Sequence, residues 1–347
     1  MYYNWKQNIN IDELKTVSKL INSGEVIVFP TETVYGIGAN ALDTEAVRKI
    51  FLAKGRPSDN PLIVHVASKE DIERIAIIQT AVEQKLIDVF MPGPITIILK
   101  KKPIIPNIVS AGLDTVGIRM PSNEIAKNII MTSNVPIAAP SANISGRPSG
   151  TKIEDIRGEL EDKVSVIIDG GNSNIGLEST VVKVIDNIPV ILRPGKVTPE
   201  EIQKVIGKVK IDQKVFEKVT ENEKPESPGM KYRHYAPKTK CKLFYSQNEE
   251  LMIKEINEFL MKNENAIVLG YTEHKGKIKI LPERYIEISS IRNMEEYARN
   301  IYTYLRKADK LGAEVILIEG VENKELGIAI MNRLLRTCEY DYKEIND

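Results

Sequence analysis

Glu25-Val-Ile-Val-Phe-Pro-Thr-Glu-Thr-Val-Tyr-Gly36 decides the fold class, because an apolar run halts at Pro30 and opens into a polar turn. A short run rich in β-branched residues and stopped by proline reads as a strand, here over residues 25–29. The next periodic segment, from Glu45 to Ala53, puts Val47, Ile50 and Phe51 on one helical face, with Asp43 or Thr44 as its capping residue. The alternation then repeats. Residues 62–66 read as a strand, and a helix from Lys69 has Ser68 as N-cap and Asp71 placed as a capping-box acid. Further strands are expected over residues 95–99, 116–120, 137–139, 164–168, 180–184 and 190–192. Thr198, Pro199 and Glu201 open the last helix of this region with a cap, a first-turn proline and a capping-box acid. The first two thirds of the chain thus form an α/β domain with a helix-covered sheet.

Residues 208–240 change character to charged and turn-forming residues, including Glu221-Asn-Glu-Lys-Pro-Glu-Ser-Pro-Gly229, and read as a linker. Beyond it, strands over 242–245, 266–269 and 315–319 alternate with helices over 249–262, 293–311 and 324–338, which makes a small second α/β domain. The expected division is 1–207, 208–240 and 241–347.

Composition narrows the function classes. Lys plus Arg and Asp plus Glu both number 48, so no overall basic field exists to hold nucleic acid through its phosphates. The start of the chain lacks the order of a secretory signal, and no apolar run approaches the roughly 20 residues of a membrane span. A soluble, cytoplasmic protein without membrane association is expected. Cys241 and Cys338 fit neither a disulfide framework nor a zinc spacing and read as buried thiols. His65 lies inside an apolar strand, whereas His234 and His274 look harder to bury, and no histidine has a second ligand at metal spacing.

The chemistry-bearing residues follow apolar strands, where α/β folds present binding groups. Pro30–Gly36 offers three hydroxyls and a carboxylate, and by itself could be an ordinary connection. Lys54-Gly-Arg56-Pro-Ser-Asp-Asn60-Pro61 sets two cations in a stiffened loop suited to a phosphate or bicarbonate, although cations also favour helix C-termini. Ala138-Ala-Pro-Ser141-Ala-Asn143-Ile-Ser-Gly-Arg-Pro-Ser149-Gly150 ends in small and hydroxyl residues that let backbone approach a ligand, and lacks the Gly-Lys-Ser/Thr ending of a Walker loop. Arg119 and Arg193 end strands near prolines and can charge a shared pocket or pair with acids.

Taken together these segments resemble the YrdC-like family, in its long two-domain form that makes threonylcarbamoyl-AMP. The carriers are Pro30–Gly36, Lys54-x-Arg56, Ser141-x-Asn143, Glu178-Ser-Thr-Val-Val182 and Ser227-Pro-Gly-Met-Lys-Tyr-Arg-His-Tyr-Ala-Pro237, the last being most specific to the long form. The resemblance implies a YrdC-like twisted sheet domain and a smaller Rossmann-like C-terminal α/β domain. It implies a nucleotidyltransferase that condenses L-threonine, bicarbonate and ATP, with Mg²⁺ held mainly by phosphate oxygens, and hands its product to a threonylcarbamoyl-transferring complex acting on tRNA. By similarity, ATP contacts Arg56, Asn60, Thr115, Ser141, Ser149, Arg193 and Tyr232. Threonine lies against Thr33, His65, Arg119, Ala139 and Ser179, while Lys54, Arg56, Ser141 and Asn143 serve the reacting anions. Residues 208–240 are expected to close over the nucleotide. A carbamoyl-adenylating relative would want acylphosphatase-like and zinc-finger regions that this cysteine-poor chain lacks, and an RNA-binding module would want a basic surface.

Overall fold

The computed structural model describes residues 1–217, 226–228 and 234–345. It divides into two compact units, Met1–Ser145 with Ser149–Lys231 and Gly146–Pro148 with Tyr232–Asp347. Among the described residues no helix is long and apolar enough to cross a membrane.

The first unit begins with β1 (Tyr2–Asn4), α1 (Ile11–Asn22), β2 (Ile27–Phe29), β3 (Gly36–Asn40), α2 (Thr44–Lys54) and β4 (Ile63–His65). There follow α3 (Lys69–Ile75), β5 (Ala76–Ile77), α4 (Ala81–Phe90), β6 (Ile95–Lys101), α5 (Asn107–Ser110), β7 (Thr115–Arg119) and α6 (Glu124–Ser133). The unit continues through β8 (Ile137–Ala138), α7 (Ile153–Leu160), β9 (Val166–Asp169), β10 (Thr180–Ile185), β11 (Ile188–Arg193), α8 (Pro199–Ile206) and β12 (Lys210–Ile211). Its mixed sheet has the order β1-β9-β2-β3-β8-β4-β7-β6-β10-β11-β12, with β5 paired to β6.

Both faces of this sheet are covered, as period-2 alternation in the opening strand dictates. Val26 and Val28 enter one apolar cluster with Ile37, Val47 and Ile50. Ile27 and Phe29 enter the other with Leu14, Val17 and Ile21, the buried stripe of α1, and with Ile129 of α6. Each fully buried aliphatic side chain contributes about 2 kcal/mol of transfer free energy. The caps follow the sequence: Asp43 accepts the Glu45 and Ala46 N–H groups at the start of α2, and Thr198 with Glu201 forms a complete capping box on α8.

Two local expectations are corrected. Ser68 Oγ accepts the Asp71 N–H at 3.2 Å, but the Asp71 carboxylate accepts from Ala67, one residue before the cap, so no reciprocal box forms. A strand, β3, also intervenes between Pro30 and α2, antiparallel to β2. Its sequence, Gly36-Ile-Gly-Ala-Asn40, reads as a turn by composition, yet its glycine is required by packing. A Cβ on Gly38 would sit 2.7 Å from Ile137 Cγ2 and 2.9 Å from the Phe29 ring.

The second unit contains β13 (Lys240–Tyr245), α9 (Glu249–Leu260), β14 (Ala266–Tyr271), β15 (Tyr285–Ser289), α10 (Met294–Lys310), β16 (Val315–Glu319), α11 (Leu326–Thr337) and β17 (Tyr342–Glu344). All pairings are parallel, in the order β15-β14-β16-β13-β17. Numbered within the unit this is 3-2-4-1-5, a layered α/β sheet in which two strands exchange places relative to the 3-2-1-4-5 dinucleotide order. Phe244, Met252, Ile256, Val268 and Leu317 fill the core between sheet and α9. Cys241 and Cys338 are both buried free thiols. His234 is partly buried, and His274, expected near the surface, is fully buried.

Candidate functional site

The turn between β2 and β3 is fixed by its own hydroxyls. Thr31 Oγ1 donates to Val34 O at 2.6 Å and accepts the Thr33 N–H at 3.2 Å. The carbonyls of Glu32 and Thr33 accept N–H groups from Ile175 and Gly176, each at 3.0 Å. Thr33 is thereby held against Arg119, whose Nη1 donates to Thr33 Oγ1 at 2.8 Å. Arg119 Nη2 also lies 2.6 Å from Glu32 Oε1, an ion pair out of hydrogen-bond alignment whose side chains are only 5% and 9% exposed.

His65 joins this group through strand register, because parallel pairing of β4 with β7 sets it beside Arg119. Its ring meets Phe29 edge-on at 6.3 Å. Burial, reinforced by the Arg119 charge, pushes its pKa down to about 3, so it is neutral at physiological pH. Among the described residues, His65 Nδ1 and Arg119 Nε make no hydrogen bond. A buried guanidinium beside a neutral imidazole and a hydroxyl suits a small hydroxylated carboxylate.

The antiparallel register of β6 with β7, which pairs Ile97 with Ile118, carries the row onward to Thr96. Thr96 Oγ1 and Ser179 Oγ are 2.8 Å apart. Arg193 closes the row: its Nε and Nη2 donate to Ser179 O at 3.2 and 2.9 Å, and its Nη1 donates to Pro228 O at 3.2 Å. Ala139, buried after β8, donates its N–H to Ile63 O at 2.9 Å and flanks Gly36 closely enough that a Cβ there would meet its methyl at 3.5 Å.

The second group is built on the end of α2, where Gly55 takes φ 60° as the cap. Lys54 is 1% exposed, and its Nζ donates to Ser141 O at 2.5 Å and Asn143 O at 2.6 Å. Ser141 Oγ donates to Asn143 Oδ1 at 2.6 Å. Backbone bonds from Ala142 N to Tyr35 O and from Tyr35 N to Gly150 O tie this turn to the Thr33 loop. Ser149 Oγ donates to Glu178 Oε1 at 2.5 Å, with both side chains buried. Asn60 has no exposed surface, and its amide makes no hydrogen bond among the described residues. Arg56 Nη2 reaches Pro61 O at 3.3 Å. Thr115 starts β7 while Arg119 ends it, so about 13 Å of strand, at roughly 3.3 Å per residue, separates those two candidates.

Tyr232 and Arg233 lie outside the described residues. Glu32, Thr96 and Glu178 are partners to which the sequence reading gave no role. Glu32 and Glu178 sit inside quoted motifs and could have been found there, whereas Thr96 in an apolar strand carries no signal. Among the described residues no group of three or more His, Cys, Asp or Glu side chains could hold a metal ion.

Two family descriptions match consecutive parts of the chain: residues 19–195 match "Telomere recombination" and residues 197–338 match "Threonylcarbamoyl-AMP synthase, C-terminal domain". A threonylcarbamoyl-AMP synthase from Pyrococcus abyssi is 42% identical over 341 residues, covering 97% of each chain. The chain belongs to the threonylcarbamoyl-AMP synthase family. A Bacillus subtilis member is also 42% identical, over 95% of this chain and 94% of its own length. Among solved structures of the family, P. abyssi Sua5 complexed with L-threonine superposes with a TM-score of 0.92 at 40% identity over the full length of both chains.

Proposed function

We propose that the chain condenses L-threonine, bicarbonate and ATP into threonylcarbamoyl-AMP and pyrophosphate, as a nucleotidyltransferase serving tRNA modification. The observation that carries this reading is the buried group of Arg119, Thr33 and neutral His65, in a chain matched over 97% of its length by a synthase of that name. Arg119 receives the threonine carboxylate, and His65 and Ser179 face its hydroxyl. The threonine amine combines with bicarbonate to give carbamate and water, and a carbamate oxygen attacks the α-phosphate as pyrophosphate leaves. Three anionic groups must meet in this reaction, so fixed cations supply most of the catalysis. Arg56 and Arg193 sit at the nucleotide, and Lys54 acts by holding the Ser141–Asn143 turn while lending its charge beneath it.

Mg²⁺ fits this donor set only as a companion of the triphosphate, whose charge it offsets. Glu32 and Glu178 already engage Arg119 and Ser149, and phosphate oxygens would supply its ligands. We further propose that, of the segment expected to close over the nucleotide, the stretch Glu226–Pro228 does so; residues 218–225 and 229–233 of that segment lie outside the described residues. Supporting this, Pro228 O accepts from Arg193, and Glu226 pairs with Lys183 at 2.6 Å. The product, a labile acyl adenylate, would be protected by such closure and passed to a threonylcarbamoyl-transferring complex. The test is pyrophosphate release with each substrate omitted in turn. Release that needs threonine and bicarbonate together supports the reading, and release indifferent to threonine rejects it.

A further inference from the structure

The second unit carries a cleft of about 420 Å³ at the carboxyl ends of β13, β14 and β16, the edge where parallel α/β sheets receive ligands. Its size suits a small metabolite. Tyr245, Glu249, Met252, Tyr271, His274 and Lys324 line it, and all of them belong to the second unit.

The wall is built around a buried acid–histidine pair. His274 has no exposed surface; its Nδ1 lies 2.8 Å from Glu319 Oε2 and its Nε2 3.4 Å from Glu249 Oε2. Glu319 Oε2 also accepts the Tyr271 N–H at 3.1 Å, while Glu319 Oε1 is buried with no hydrogen-bond partner among the described residues. Gly270 makes room for this group, since a Cβ there would stand 2.4 Å from Tyr285 Oη and 3.1 Å from Glu319 Cδ. Burial alone would lower the His274 pKa, but the bond and charge of Glu319, with Glu249 behind them, raise it above its ordinary value. A buried ion pair that merely fills a core can be replaced by apolar groups at no loss. This one instead lies in the wall of a cleft, behind a second, half-exposed carboxylate.

Charge decides what the cleft can take. Glu319 and Glu249 share the one His274 ring, and Glu322 is matched by Lys324 at 2.5 Å on the rim, which leaves the wall with one net negative charge, on its exposed side at Glu249. The start of α11 would ordinarily attract an anion, but Glu322 and Glu325 precede it and oppose that. Tyr245, Tyr271 and Met252 give the cleft an aromatic and apolar wall suited to an alkylammonium stem.

We propose that this cleft binds a small organic cation, with its ammonium group on Glu249 beside the His274–Glu319 pair and its stem against Tyr271 and Met252. Nothing in the synthase reaction requires it.

The probe is n-butylammonium, with butanoate as the control of equal length and opposite charge, titrated into the full chain while the histidine ring signals are followed by NMR. Three histidines make the His274 signal assignable. The expected result is a saturable His274 shift with n-butylammonium, with Kd of about 1 mM or tighter. The Glu249→Gln variant should bind at least about 10-fold more weakly, as loss of a charge-assisted bond implies. Glu249 is 54% exposed in the first turn of α9, so this variant keeps the fold, which an unchanged Tm would verify. Saturable binding of n-butylammonium that Glu249→Gln weakens and butanoate does not share supports the site. No saturable shift, an equal response to butanoate, or unchanged affinity in Glu249→Gln overturns it.

Discussion

Replacing Arg119 probes the threonine half of the site, because the same guanidinium serves stability and recognition. Its partner Glu32 is 9% exposed and lies 2.6 Å away, so Arg119→Gln strands a buried carboxylate. Breaking a buried pair from one side costs about 3–5 kcal/mol of stability. Loss of the charged bond to the threonine carboxylate adds about 1.5–3 kcal/mol in binding, equivalent to about a 10- to 150-fold weaker Kd. Arg119→Lys separates the two effects. It keeps the charge facing Glu32 and should recover most of the stability, yet one ammonium cannot reproduce the fork that serves Thr33, Glu32 and substrate together. Threonine affinity should therefore stay about 10-fold or more below that of the unsubstituted chain. Calorimetric titration of threonine, with ATP titration as a control and Tm as the stability measure, checks all three quantities. Unchanged threonine affinity in a folded Arg119→Gln protein would show that Arg119 does not hold the threonine carboxylate.

Lys54→Met should lower turnover by about 100-fold or more, because it removes the clamp on Ser141 O and Asn143 O; steady-state pyrophosphate release measures this, and near-normal kcat would contradict it. For His65, the folded pKa of about 3 lies below the ordinary 6.5, so the unfolded chain binds the extra proton first. Its share of stability is present above about pH 6.5 and lost as pH falls toward 3, and His65→Gln should flatten that part of a Tm-versus-pH curve. Gly38→Ala should destabilise the first unit by about 1–3 kcal/mol through overpacking against Ile137 and Phe29, read as a lowered denaturant midpoint with unchanged slope.

The architecture was legible where sequence chemistry is local. Val26 to Phe29 alternate between two covered faces, Asp43 and Thr198 cap the helices they announce, and the polar loops lie where apolar strands stop. β3 was not legible, because its glycines are dictated by neighbours on β2 and β8 and by themselves look like a turn. His274 was misjudged for a related reason: its burial depends on Glu319, a partner 45 residues away that periodicity cannot supply. At the candidate site the cations and hydroxyls stood out in sequence. Their division into one group around Arg119 and another around Lys54 came only from strand register and the backbone bonds through Tyr35.

In the proposed reaction bicarbonate carbon is joined to threonine and the adduct to AMP. Mass spectrometry of products from ¹³C-bicarbonate, threonine, ATP and Mg²⁺ tests it most directly. The label is expected in threonylcarbamoyl-AMP, with one pyrophosphate per adduct. ADP with inorganic phosphate, or an adenylate without the label, would contradict it.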